Sequence, residues 1–165
     1  MDIRPARRED DAALVALDAA TWSPAVSPGP EPSGKREFFG SDEDPANTLV
    51  AVFDGAVAGY IRLSPATRLE SSRHVLMITG LAVDPAYHRR GLARALLDAA
   101  AEEAAARGVR RLTLRVLAPN AGARALYEAC GFEVEGILRE EFFVAGSYVD
   151  DVLMAKALRD PRPPG

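Results

Sequence analysis

Cysteine is nearly absent from this chain: Cys130 is the only one in 165 residues. That excludes an internal disulfide and any zinc site built on several thiolates, and it agrees with a reducing compartment. Histidine is almost as scarce. His74 and His88 are the only two, and neither has an acidic or histidine partner at ligand spacing, so the expectation is no metal and no serine triad. Long apolar runs are missing as well. The opening residues MDIRPARREDD lack the apolar core of a signal peptide, and no stretch is long enough to span a bilayer, which predicts a cytoplasmic protein without a membrane partner. Nor is there an excess of positive charge: a formal net charge of −4 argues against nucleic acid as the partner.

What is present fits one globular domain over 1–160, followed by a disordered Pro-rich tail at 161–165. Hydrophobic content of 48% and charged content of 27% are ordinary for that class. Ile3 before Pro5 suggests a first strand, and Glu9 to Ala20 an amphipathic helix with acids in its first turn. From Thr21 to Pro45 the pattern dissolves into Pro, Gly and Ser, with a helical turn expected at Arg36 to Phe39. A long irregular loop in a small domain is usually functional. Thr48 to Phe53 and Ala56 to Leu63 flank Asp54 and Gly55, the signature of a tight hairpin. His74 to Val83 forms a central strand whose Gly80 marks a bulge or a close approach. A long helix to Gly108, a strand at Arg111 to Leu117, a helix at Ala121 to Cys130, and strands near Phe132 to Leu138 and Tyr148 to Leu158 complete the order. The fold class is α/β in the broad sense, a mixed sheet with helices packed against it. The late strands leave room for pairing across a homodimer.

Two stretches carry chemistry. The first, Ile78 to Ala101, reads as strand, turn and helix, with Arg89, Arg90 and Arg94 crowding a helix start that normally favours acids. An anion held by free backbone N–H groups beside Gly91 would explain them, and a solvated basic turn is the plainer reading. The second is NAGARALYEACGF. Asn120 and Tyr127 stand nearly two helical turns apart, so both can line one groove; taken alone, an N-cap and a half-buried core tyrosine is the favoured reading. Cys130 reads as a small core residue. Gly29 to Lys35, GPEPSGK, has the spacing of a phosphate-binding loop, but Arg36 stands where Ser or Thr is needed and Pro30 and Pro32 lack the N–H groups of a cradle.

Taken together, LAVDPAYHRRGLARALL and NAGARALYEACGF resemble the GNAT superfamily of N-acetyltransferases, and the hairpin before them and the strands after them agree in order. The family pattern Q/R, x, x, G, x, G/A falls on His88 to Ala93, with His88 departing at the first position. The resemblance implies a mostly antiparallel mixed sheet, helices on both faces, and a splayed V between two central parallel strands. It implies acetyl coenzyme A as donor. The pyrophosphate would lie at His88, Arg89, Arg90, Gly91, Leu92, Ala93 and Arg94, and the pantetheine arm would pair along Leu81, Ala82 and Val83. Asn120 would touch that arm, and Tyr127, near the sulfur, would act as general acid toward the departing thiolate. The C-terminal stretch is similar to the polyamine, amino-acid and RimJ/RimL-type branch, which points to a small primary amine as acceptor. Relatives that acetylate ribosomal protein N-termini often place a Glu where this chain has Arg115, a departure that counts against a protein acceptor. The loop with Trp22, Phe38 and Phe39, together with Glu140, is expected to shape the acceptor pocket. Glu37, Asp42, Glu43, Glu140, Glu141, Asp150 and Asp151 are the candidate bases. A protein N-terminal or lysine acetyltransferase, a longer acyl donor, and a non-catalytic acyl coenzyme A sensor are the competing readings.

Overall fold

Two hairpin corners shape the sheet. In the computed structural model, which describes residues 1–32 and 37–158, strands β1 (Asp2–Pro5), β2 (Thr48–Phe53) and β3 (Ala56–Pro65) run antiparallel in sequence, from Asp2 opposite Val52 through Thr48 opposite Arg62. Asp54 and Gly55 sit at φ of 50° and 80°, the paired left-handed residues of a two-residue turn. Ala145 and Gly146 repeat those angles, at 50° and 80°, and close a second hairpin between β6 (Glu133–Val144) and β7 (Ser147–Ala157). Only isolated strands were expected there. The signal was weak because alanine rarely adopts a left-handed conformation.

Between the hairpins lie β4 (Val75–Val83), helix α2 (Leu92–Ala106), β5 (Arg111–Leu117) and helix α3 (Ala121–Ala129). The strand order is β1-β2-β3-β4-β5-β7-β6. β4 and β5 are parallel and pair at their starts, Val75 to Met77 against Arg111 to Thr113. β5 is antiparallel to β7 along its whole length, from Arg111 opposite Ala157 to Leu117 opposite Asp151. This is the mixed sheet with helices that the sequence led us to expect. The Ser33–Gly34–Lys35–Arg36 end of the phosphate-loop lookalike and the tail at 161–165 lie outside the described residues.

The chain divides into two compact units. The first comprises Met1–Trp22, Pro30–Leu63 and Thr79–Ala100. Its core gathers Leu14, Val15 and Leu17 from helix α1 (Asp11–Thr21) with Phe38, Phe39, Val50 and Tyr60. α1 starts later than the sequence suggested because Asp10 is engaged outside it. Its carboxylate takes both terminal nitrogens of Arg4, at 2.8 and 3.0 Å, and the Arg7 amide at 2.8 Å, and the chain makes a 3-10 turn over Arg8–Asp10 first. Phe39 is 1% exposed, and its amide and that of Phe38 both donate to Asp11 Oδ1 at 3.0 Å. Arg62 closes the arrangement, donating to the Phe38 carbonyl at 2.9 Å with its guanidinium 4.1 Å from that ring's centre.

Gly80 faces Tyr60. A Cβ there would stand 2.9 Å from Tyr60 Cε2 and 3.2 Å from its oxygen, so the glycine permits a close side-chain approach. Gly59 does the same for backbone, since a Cβ would meet the Ala82 carbonyl oxygen at 2.9 Å.

The second unit comprises Ser23–Gly29, Ser64–Ile78 and the chain from Ala101 onward. Leu112, Leu114 and Val116 of β5 are buried while Arg111 and Arg115 on the alternate positions are not. β6 lies at the edge, and its apolar residues Ile137 and Phe143 are exposed, Phe143 against Tyr148 with ring centres 5.0 Å apart.

Candidate functional site

In the first unit, β4 ends at Val83 and the chain turns through a 3-10 segment capped by Asp84, whose Oδ1 accepts from Ala86 N at 2.8 Å. His88 Nε2 lies 3.0 Å from the Val83 carbonyl oxygen and ties the turn back to the strand end. Arg89 and Gly91 both take positive φ, 61° and 78°. The first amide bonded within α2 belongs to Ala95, which donates to the Gly91 carbonyl at 3.0 Å, so the amides of Leu92, Ala93 and Arg94 form the open first turn. Nothing lies within 4 Å of a Cβ placed on Gly91. Leu92, 2% exposed, anchors the helix start, while Arg94 is exposed.

Arg90 differs from its two arginine neighbours. Its guanidinium lies over Phe53 and Tyr87, 5.3 and 5.5 Å from the ring centres, so it braces the turn against the first hairpin. Arg89 and Arg94 keep the exposed charge beside the open amides. Such a turn has the donors, the space and the field to hold a phosphate.

In the second unit, Asn120 caps α3, its Oδ1 accepting from Ala123 N at 3.2 Å. Tyr127, further along that helix, packs edge-on against Phe132 at 6.1 Å between centres, and its phenol meets no hydrogen-bond partner among the described residues. Burial pushes that phenol above its ordinary value of 10.0. The hydroxyl is therefore neutral across the physiological range, the form that can donate a proton. Cys130 is buried at the end of α3.

The residues expected to line the acceptor pocket differ in their surroundings. Phe38 and Phe39 are core residues of the first unit and offer no open face. Trp22 ends α1, half-buried, its amide on the Asp18 carbonyl at 3.0 Å. Glu140 sits at φ 49° in a bulge of β6, its amide donating to Asp150 Oδ1 at 2.8 Å.

The second unit instead offers an open pocket of about 350 Å³ on the sheet face formed by β4, β5, β7 and β6. Val75, Met77, Leu138 and Leu153 give it apolar walls, and Arg111, Thr113, Arg115 and Glu135 its polar groups. Arg111 is taken bidentately by Glu135, at 2.7 and 3.0 Å. That pairing raises the Arg111 pKa and holds the Glu135 carboxyl below the usual carboxylate range. Arg115 donates its Nε to Asp151, a residue only 2% exposed. The β6 bulge completes the group. Leu138 pairs with Asp151 and Phe142 with Val149, so Arg139, Glu140 and Glu141 together face Asp150 alone. The extra residues carry Glu141 to 3.8 Å from Arg115 Nη2 and set the Phe142 ring 5.9 Å from the guanidinium. Of the candidate bases, only Glu141 and Asp151 are paired with Arg115; Glu43 pairs with Arg62 at 3.3 Å. The available signal was the alternation Arg111, Thr113, Arg115 on a strand whose other face is all apolar, since polar residues along one face of an inner strand mark a face that is not core.

Among the described residues no three His, Cys, Asp or Glu side chains gather as a ligand set, and no helix is long and apolar enough to cross a membrane.

The model of the acetyltransferase (GNAT) family matches residues 12–132, and this chain belongs to that family. It is an N-acetyltransferase that acetylates amino groups, with acetyl coenzyme A as co-substrate. Among its relatives, the ribosomal protein bS18-alanine N-acetyltransferase of Salmonella typhimurium is 34% identical over 128 residues, 75% of this chain and 80% of that protein. The L-amino acid N-acetyltransferase AaaT of Escherichia coli is 34% identical over 117 residues, 70% of this chain and 71% of the relative. An acetyltransferase from Salmonella typhimurium solved with its cofactor acetyl-CoA superposes with a TM-score of 0.80 at 22% identity, covering 100% of this chain and 98% of that one.

Proposed function

We propose that the protein transfers the acetyl group directly from acetyl coenzyme A to the primary amine of a small molecule, in the cytoplasm. The observation that carries this reading is the pocket of about 350 Å³ with two arginines and mostly apolar walls, the size class of a small-ligand site. The first turn of α2 takes the donor's pyrophosphate on the amides of Leu92, Ala93 and Arg94, with Gly91 leaving the approach open. Leu81, Ala82 and Val83 offer strand backbone to the pantetheine arm, which an extended chain can pair with like an added strand. A backbone N–H near Leu81 polarises the thioester carbonyl. Asn120 has one side-chain atom spent on its cap and the amide nitrogen left for the cofactor arm.

The neutral amine nitrogen then attacks the carbonyl carbon, the C–S bond breaks, the Tyr127 phenol protonates the departing thiolate, and the proton shed by the newly acylated nitrogen goes to solvent, which returns one to the phenolate. Burial that keeps the phenol protonated supports this role. A second reading, acetylation of a protein N-terminus, draws support from the Salmonella relative whose name states that activity. Arg115 on β5 weighs against it, because it occupies the position where such enzymes often carry Glu.

The test is release of free thiol from acetyl coenzyme A against amino acids, polyamines, simple amines and peptides beginning with alanine. Turnover with the small amines supports the proposal. Turnover with peptides alone moves the function to the second reading, and a stabilising shift with acetyl coenzyme A without turnover of any acceptor identifies a sensor.

A further inference from the structure

We propose that Arg115 recognises a carboxylate on the acceptor, so that the small amine of the preceding section, on which this inference rests, is an α-amino acid with an apolar side chain. The two arginines of the pocket are not equivalent. Both terminal nitrogens of Arg111 are consumed by Glu135, at 2.7 and 3.0 Å. Arg115 is held differently, by Nε alone, on Asp151. Among the described residues its terminal nitrogens make no hydrogen bond, and a Glu141 carboxylate oxygen stands 3.8 Å from Nη2.

Asp151 is 2% exposed and Arg115 side-chain exposure is 41%, so the pair has a buried base and an open fork. The carboxylate behind Nε fixes the guanidinium plane, and the Phe142 ring stands beside it at 5.9 Å. A planar fork held from behind presents two parallel N–H donors to the pocket, the geometry that a second carboxylate accepts. Glu141 supplies the opposite charge close by, placed there by the β6 bulge. A zwitterion matches this pairing: its carboxylate meets Arg115 and its ammonium the field of Glu141. The apolar walls at Met77, Leu138 and Leu153 then receive the side chain. A polyamine offers no partner for the fork.

The experiment pairs L-amino acids with their decarboxylated amines, for instance L-leucine with isoamylamine, which share side chain and primary amine. Wild-type protein is expected to show kcat/KM for L-leucine roughly ten- to a hundredfold above isoamylamine, the span of one charged hydrogen-bonded contact. Arg115→Gln, which can still donate to Asp151, should reduce that ratio to about threefold or less, and Arg115→Lys, which keeps the charge without the fork, should fall between. The thermal shift of each variant with coenzyme A reports whether it is folded, and should Arg115→Gln fail to fold, Arg115→Lys decides. Equal wild-type turnover of acid and amine across the panel overturns the inference, as does an Arg115→Gln ratio equal to the wild-type ratio. Turnover of alanine-starting peptides with none of the small amines overturns the underlying reading instead, and the inference with it.

Discussion

Tyr127 carries the sharpest residue-scale prediction. Replacing it with Phe keeps the contact with Phe132 and removes only the hydroxyl. If the phenol is the general acid, kcat should fall by about a hundredfold or more with little change in the KM for acetyl coenzyme A. Undiminished turnover would leave Tyr127 a packing residue. Because burial raises the pKa of this phenol above the ordinary tyrosine value, its ionisation should not limit the rate through the neutral and mildly alkaline range. A wild-type rate that collapses between pH 8 and 9, with a limb abolished in Tyr127→Phe, would contradict that assignment. Gly80 is a packing counterpart. Its Cβ would strike a Tyr60 ring that is held by its hydroxyl on Asp18 and by Phe38 edge-on at 5.0 Å. Gly80→Ala should cost about 1–3 kcal/mol in urea unfolding, and less in a Tyr60→Leu background.

At the scale of elements, the start of α2 combines two left-handed residues with an open first turn. Gly91 at φ 78° has space for a methyl group but not the conformation for one. Gly91→Ala is therefore expected to destabilise by about 1 kcal/mol and to weaken donor binding, read as a several-fold higher KM for acetyl coenzyme A. An unchanged KM would show that this turn does not approach the donor. The hairpins show how local chemistry and legibility diverge. Asp54-Gly55 announces its turn, because both residue types tolerate positive φ, whereas Ala145-Gly146 makes the same turn with one residue that does not advertise it. The β6 bulge at Glu140 was equally silent, and Glu141 reaches Arg115 only through it.

For the molecule as a whole, pH dependence of stability has an identified source in Asp10. Its hydrogen bonds to Arg4 lower its pKa from 3.8, outweighing the opposing effect of burial. A carboxylate with a depressed folded pKa stabilises above its unfolded value and loses that contribution as pH falls through the folded one. Asp10→Asn should thus cost about 1–3 kcal/mol at pH 7, with the difference from wild type shrinking below pH 4 in chemical denaturation. A difference that stays constant down to pH 2 would refute the ionic origin.

The sequence by itself determined the family, the enzyme class and the order of elements, because those are written in contiguous patterns: the HRRGLA turn after a strand, an Asn cap followed by Tyr127, the Asp-Gly corner. Periodicity and turn chemistry act over a few residues. Phe38 and Phe39 show where such local patterns stop. A Pro-rich loop with aromatics looks like a pocket, yet Phe38 and Phe39 bury their rings once Asp11 holds their amides. Only the tertiary structure decided which side chains share the open face of β5. Arg115 and Asp151 stand 36 residues apart and meet through strand register, and Glu141 joins them through a bulge that no short-range pattern encodes.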